Sequence, residues 1–199
     1  MICIISIAKH PRRSQRLALS AIRKGQIILF PTETVYGLGV DSKKASAIKQ
    51  LYILKGRPRQ KPFQYLVASA KEAQKRSSGW NPQVETLARI FWPGPLTLVV
   101  PTLRGSIGWR VPSHKWLLAL LKKLGRPLVA TSANLSGKKP PIAFTKALRP
   151  FNREIGLALD GGLIRGGKAS TVVRVKKGGV KILREGAIPR KAVFQAVRL

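Results

Sequence analysis

Apolar positions recur with helical spacing from Ser14 to Lys24, where Leu17, Ala18, Ala21 and Ile22 share one side and Gly25 supplies a stop. Gln26 to Phe30 is then a short, nearly continuous apolar run, the pattern of a buried strand. Asp41 or Ser42 is placed to cap a second helix, whose apolar side is Ala45, Ile48, Leu51 and Tyr52 and which ends near Lys55. Phe63 to Ala68 reads as a strand, and Ser69 with Glu72 forms a capping-box pattern opening a short helix. Asn81-Pro82 starts another helix with N-cap and N1 residues in the favoured order. Further strands are predicted at Leu96 to Val100, Ile107 to Val111, Leu128 to Ala130, Ile155 to Leu159, Thr171 to Val175 and Val180 to Arg184. A helix over Lys115 to Leu124 ends at Gly125, and a last one follows Pro189. Met1 to Ala8 is apolar without a preceding basic segment, and reads as a chain start or edge strand rather than a signal peptide.

Strands and helices mix without a strict alternating period, so the expected fold class is α/β: a twisted mixed β-sheet flanked by helices. With 199 residues and neither a repeat nor a linker, residues 1–199 form one expected domain. A single cysteine, Cys3, excludes a disulfide framework and a cysteine-based zinc site, and suits a reducing, cytoplasmic setting. No apolar run approaches the length of a membrane span.

Charge changes this picture. Lys and Arg number 38 against 7 Asp and Glu, for a net charge of +31. Successive quarters of the chain hold 9, 8, 10 and 11 basic residues, so the charge covers the folded body and is not gathered into a tail. Such a surface attracts polyanions, RNA included, at low salt, but a general basic bias or a solvated surface accounts for the charge before selected RNA binding does.

Candidate chemistry sits where strands end. Thr32-Glu33-Thr34, Arg110, Thr131-Ser132-Ala133-Asn134 and Arg184 each follow an apolar strand, where open α/β sheets tend to bind ligands. Their groups suit phosphates, carboxylates and hydroxyls. Lys55-Gly56-Arg57-Pro58 adds a pair of cations. A helix C-terminus accounts for Lys55, but Arg57 before a stiffening proline is better placed to offer a planar fork to phosphate oxygens. There is no P-loop and no dinucleotide fingerprint. His114 reads as a helix cap rather than a base, and seven scattered acids speak against a two-carboxylate mechanism or a protein metal cage. Any Mg²⁺ would ride on substrate phosphates and water. The chemistry must come from positioning and positive electrostatics.

The segments Pro31 to Gly39, Lys55 to Pro58, Trp92 to Thr97, Arg110 to Pro112, Thr131 to Gly137 and Ala169 to Val173 together resemble the YrdC/Sua5 family, in order, over about residues 13–185. The length is similar to the short bacterial TsaC type. The resemblance implies a YrdC-like fold with a concave basic cleft. It also implies a threonylcarbamoyl-AMP synthase, a nucleotidyltransferase that joins L-threonine, bicarbonate and ATP and releases pyrophosphate. The product would serve N6-threonylcarbamoylation of adenosine 37 in tRNA, through the downstream proteins TsaD, TsaB and TsaE. By resemblance Thr32, Arg110 and Ser170 would hold threonine. Lys55, Arg57, Ser106, Ser132, Asn134 and Arg184 would contact the nucleotide, with Lys55 and Arg57 carrying the catalytic role. The chain departs from the family twice: Leu66 stands where Sua5-type members have a His, and the stretch 101–106 is short. The other reading of the charge is an RNA-binding or ribosome-assembly factor on the same fold, with Trp80, Trp109 and Trp116 as candidate stacking residues.

Overall fold

The computed structural model describes residues 2–176 and 179–198. Ten strands form one sheet: β1 (Cys3–Ser6), β2 (Ile28–Phe30), β3 (Gly37–Asp41), β4 (Gln64–Leu66), β5 (Leu96–Thr102), β6 (Gly105–Arg110), β7 (Leu128–Ser132), β8 (Leu157–Asp160), β9 (Thr171–Lys176) and β10 (Gly179–Arg184). Their order is β1-β8-β2-β3-β7-β4-β6-β5-β9-β10. The sheet contains both parallel pairs (β1 with β8, β5 with β9) and antiparallel pairs (β3 with β7, β5 with β6), so it is mixed, and β1 and β10 are its edge strands. Seven helices flank it: α1 (Pro11–Arg23), α2 (Ala45–Lys55), α3 (Ala70–Gln74), α4 (Pro82–Phe91), α5 (Lys115–Leu124), α6 (Phe144–Leu148) and α7 (Arg190–Ala196).

Strand register decides where a ligand can enter. Val129, Tyr65, Trp109, Leu98 and Val173 lie directly opposite one another on successive strands and face one side of the sheet. Apolar side chains of α3, α4 and α7 pack there, with those of α2 and α6 further along the same face. The next row, Ala130, Gln64, Gly108, Val99 and Arg174, faces the other side. There α1 and α5 cover the part built by β2, β7 and β8, using Ala18, Ala21, Ile22, Trp116, Leu117, Leu120 and Leu121. The half formed by β4, β6, β5 and β9 has no helix over it among the described residues, and this is the cleft.

Local chemistry explains the helix ends. Ser69 Oγ accepts from the Glu72 N–H at 3.3 Å, Asn81 Oδ1 from Val84 N–H at 3.0 Å, and His114 Nδ1 from Leu117 N–H at 3.4 Å. Burial holds His114 below the ordinary imidazole range, against the nearby Glu33 charge, which favours the neutral ring that can accept this bond. The helix α1 starts at Pro11, three residues ahead of the apolar pattern, because proline is pre-organised for N1. Its first turn carries Arg12 and Arg13 and no acid, an arrangement that opposes the helix dipole at about 0.3–1 kcal/mol per charge.

One expected cap is corrected. The helix α2 begins after Lys44 with no side-chain cap, and neither Asp41 nor Ser42 caps it. Asp41 is fully buried, and its carboxylate accepts from Arg126 Nε at 2.9 Å and Arg126 Nη2 at 2.5 Å, and from the Lys43 N–H at 3.0 Å. Burial pushes Asp41 up, but these partners together hold it below the ordinary carboxylate range. The pair therefore stabilises the fold above that range, and its contribution is lost as pH falls through the depressed value. Asp41→Asn is expected to cost about 3 kcal/mol at pH 7 by leaving Arg126 unpaired. Urea unfolding at pH 7 and in acid checks this, since the gap from the parent must narrow at low pH.

Candidate active site

The cleft encloses about 260 Å³, at the small end for a ligand pocket. Its floor is the row named above, lowest at Ala130 and Gly108, which carry the smallest side chains in it. A β-carbon at Gly108 would meet Thr97 Cγ2 at 3.1 Å. Seven of the nine residues singled out from sequence line it: Thr32, Arg57, Ser106, Arg110, Ser132, Ser170 and Arg184. Lys55 and Asn134 stand behind its wall.

Arg110 leaves the end of β6 almost wholly buried. Its Nη2 donates to Glu33 Oε1 at 2.8 Å and to Thr34 Oγ1 at 3.0 Å, and its Nε donates to Gly94 O at 3.2 Å. Burial pushes Glu33 up, yet the Arg110 charge, its hydrogen bond and the Ser113 N–H hold the carboxyl below its ordinary value. Glu33 thus fixes the guanidinium and leaves Nη1 without a bond to the described residues. Thr32 is used differently. Its hydroxyl donates to Val35 O at 2.7 Å and accepts from the Thr34 and Val35 N–H groups at 3.1 and 3.2 Å, so it serves its own turn.

Opposite lies a polar chain. Arg184 donates from Nη2 to Ser170 O at 2.8 Å and to Ser170 Oγ at 3.2 Å. Ser170 Oγ lies 3.0 Å from Thr97 Oγ1, which donates to Gln64 Oε1 at 2.8 Å. Burial lowers Arg184, and the Arg110 and Arg57 charges lower it further, so three guanidiniums share the cleft, of which Arg110 is paired with the Glu33 carboxylate. Arg57 follows the left-handed Gly56 (φ 55°) that ends α2. Its Nε donates to Lys61 O at 2.7 Å and its Nη2 to Pro62 O at 3.2 Å, and its guanidinium carbon lies 5.3 Å from the Phe63 ring centroid. Lys55 is buried. Its ammonium donates to Ser132 O at 2.7 Å and to Asn134 O, clamping the exit of β7 from below. Asn134 Nδ2 closes the following turn on Leu135 O and Lys138 O, each at 2.7 Å. Ser106 is exposed at the mouth, and Leu66 is buried in the wall.

Sequence reading missed Gln64 and Arg174. The period-2 pattern of residues 171–175 held the signal for Arg174, which shares the face of Val172 and not that of Val173 and Val175. Its Nε is buried and has no partner among the described residues. No group of three or more His, Cys, Asp or Glu that could hold a metal ion is found among those residues.

Fold and cleft together define an α/β domain with a pocket lined by Arg57, Arg110 and Arg184 on the uncovered half of its sheet. Residues 20–186 match the Sua5/yciO/yrdC family, described under telomere recombination, and the chain belongs to that family. It is 35% identical over 192 residues to a threonylcarbamoyl-AMP synthase of Pyrococcus abyssi, which covers 92% of this chain and 56% of that protein. A threonylcarbamoyl-AMP synthase of Bacillus subtilis is 34% identical over 194 residues, with the same two coverages. The chain thus spans little more than half the length of these two curated relatives. The structure of P. abyssi Sua5 complexed with L-threonine superposes with a TM-score of 0.90 at 32% identity, over 98% of this chain and 60% of that one. Escherichia coli YCIO, at 24% identity, shares the fold with a TM-score of 0.82 over 94% of this chain and 95% of its own.

Proposed function

We propose that this chain is a threonylcarbamoyl-AMP synthase, a nucleotidyltransferase acting on L-threonine, bicarbonate and ATP. The observation that carries the reading is the convergence of Arg57, Arg110 and Arg184 in one cleft, in a family whose P. abyssi member is complexed with L-threonine. Threonine's amine condenses with bicarbonate to a carbamate, releasing water. A carbamate oxygen then attacks the α-phosphorus of ATP, the α–β bridging bond breaks, and pyrophosphate leaves. Both reactants are anions, so alignment and charge repulsion dominate the barrier, and fixed cations lower it.

In this reading the free Nη1 of Arg110 takes the threonine carboxylate, beside Ser170 and the turn shaped by Thr32. Arg57 and Arg184 grip the phosphates, Ser132 and Asn134 line their approach, and Ser106 meets the nucleotide at the mouth. Lys55 acts through the Ser132–Asn134 backbone. Any Mg²⁺ would ride on the phosphates and water, the described lining offering hydroxyls and guanidiniums and no carboxylate. The product would pass to tRNA through TsaD, TsaB and TsaE. The test is pyrophosphate release from ATP that requires both threonine and bicarbonate. Folded protein that releases none, or releases it equally without threonine, refutes the assignment.

A further inference from the structure

Outside the cleft, α1 and α5 carry four and three cations and no acid between them. Arg12, Arg16, Arg23, Lys24 and Lys123 line a groove of about 500 Å³ together with Gln15, Leu19 and Ser20. All five cations are exposed, and Lys123 Nζ donates to Gln15 Oε1 at 2.6 Å, joining the two helices across the groove. Arg12, Arg16 and Arg23 stand one turn and then two turns apart, a row spanning about 16 Å of helix axis.

We propose that this groove docks the phosphate backbone of structured RNA. A small anion would answer one or two of these charges, whereas a polyanion answers the whole row. The sequence accepts two arginines against the dipole of α1 and offers no acid for i,i+4 pairing there, a local conflict that stability alone does not explain. An anionic membrane is the poorer fit. The apolar side of α1, through Ala18, Ala21 and Ile22, is already buried in the core, so no greasy face is left to insert. The ion pairs among the described residues, Glu33 with Arg110, Asp41 with Arg126 and Glu72 with Arg76, involve none of the five groove cations. The inference stands apart from the synthase reading, because none of the five cations lines the cleft.

The test is fluorescence anisotropy with a labelled unmodified tRNA transcript between 50 and 300 mM KCl. Arg12→Gln/Arg16→Gln/Arg23→Gln is compared with a control triple on exposed cations elsewhere, Lys146→Gln/Arg149→Gln/Arg153→Gln. The groove triple is expected to bind at least about tenfold more weakly near physiological salt, with a log–log salt slope smaller by about 2–3. The control triple is expected to lose less than about threefold, and both should keep the parent's melting temperature and pyrophosphate release. Equal losses in the two triples would assign the binding to diffuse surface charge and overturn the proposal. So would undetectable tRNA binding by the parent, or groove-dependent binding to phosphatidylserine vesicles that exceeds binding to tRNA.

Discussion

Arg57→Ala is expected to lower kcat/KM for ATP in threonine-dependent pyrophosphate release by about 10³-fold, near 4 kcal/mol of transition-state stabilisation. Two features make the effect large. The guanidinium is partly buried, where a charge acts through a low dielectric, and burial lowers its proton affinity. It is also pinned by the Lys61 and Pro62 carbonyls and the Phe63 ring, so it waits in place for the phosphates. Arg57→Lys should recover little, since a point charge cannot hold two carbonyls and still present a planar fork. Arg57→Ala/Arg184→Ala should be markedly non-additive if both grip one polyphosphate. Melting of Arg57→Ala should stay within about 3 °C of the parent, because the lost bonds lie on an exposed loop. A variant within threefold of parental kcat/KM would remove Arg57 from the phosphate site.

What could be read from sequence follows from how locally each feature is encoded. The amphipathic helices and the caps at Ser69, Asn81 and His114 are short-range, and each was legible. The strand Gly37–Asp41 was not, since two glycines in five residues suppress any strand signal. Its reason is tertiary: a β-carbon at Gly39 would stand 2.7 Å from Phe30 Cε1 on the neighbouring strand. The short helix Phe144–Leu148 went unread because five residues give too little periodicity. Asp41 looked like a cap because its partner Arg126 is 85 residues away. The site was legible as residue types at strand ends, but what each one touches was not. The Thr32 hydroxyl turned inward to Val35, and Gln64 emerged two residues before Leu66 on the same face of β4. Trp109 and Trp116 are core, and Trp80 is half-buried with its Nε1 donating to Glu85, so the stacking residues expected of an RNA reader are not free.

Lys55→Met is expected to cut activity by about 10²-fold and also to lower Tm by about 5–10 °C, which separates it from Arg57→Ala. The ammonium's bonds to the Ser132 and Asn134 carbonyls are charge-assisted, worth about 1.5–3 kcal/mol each, and methionine leaves both acceptors unpaired. From sequence Lys55 was a nucleotide contact with a catalytic role; its buried position beneath Ser132 and Asn134 predicts a joint loss of activity and stability. A pH series separates its two roles. Burial, with Arg57 adding to it, lowers Lys55 to about 8, so the folded chain releases this proton before the unfolded chain does. Between about 8 and the usual lysine value near 10.4 the unfolded state binds more protons, and the Lys55 contribution to stability therefore rises with pH. Over the same range the cleft loses a positive charge beside Arg57, so affinity for ATP should fall. Stability and nucleotide affinity thus move in opposite directions above pH 8 in the parent. Neither trend should persist in Lys55→Met, while Lys55→Arg should hold its charge and lose the alkaline fall in affinity. An unchanged alkaline limb in Lys55→Arg would assign that titration to another group.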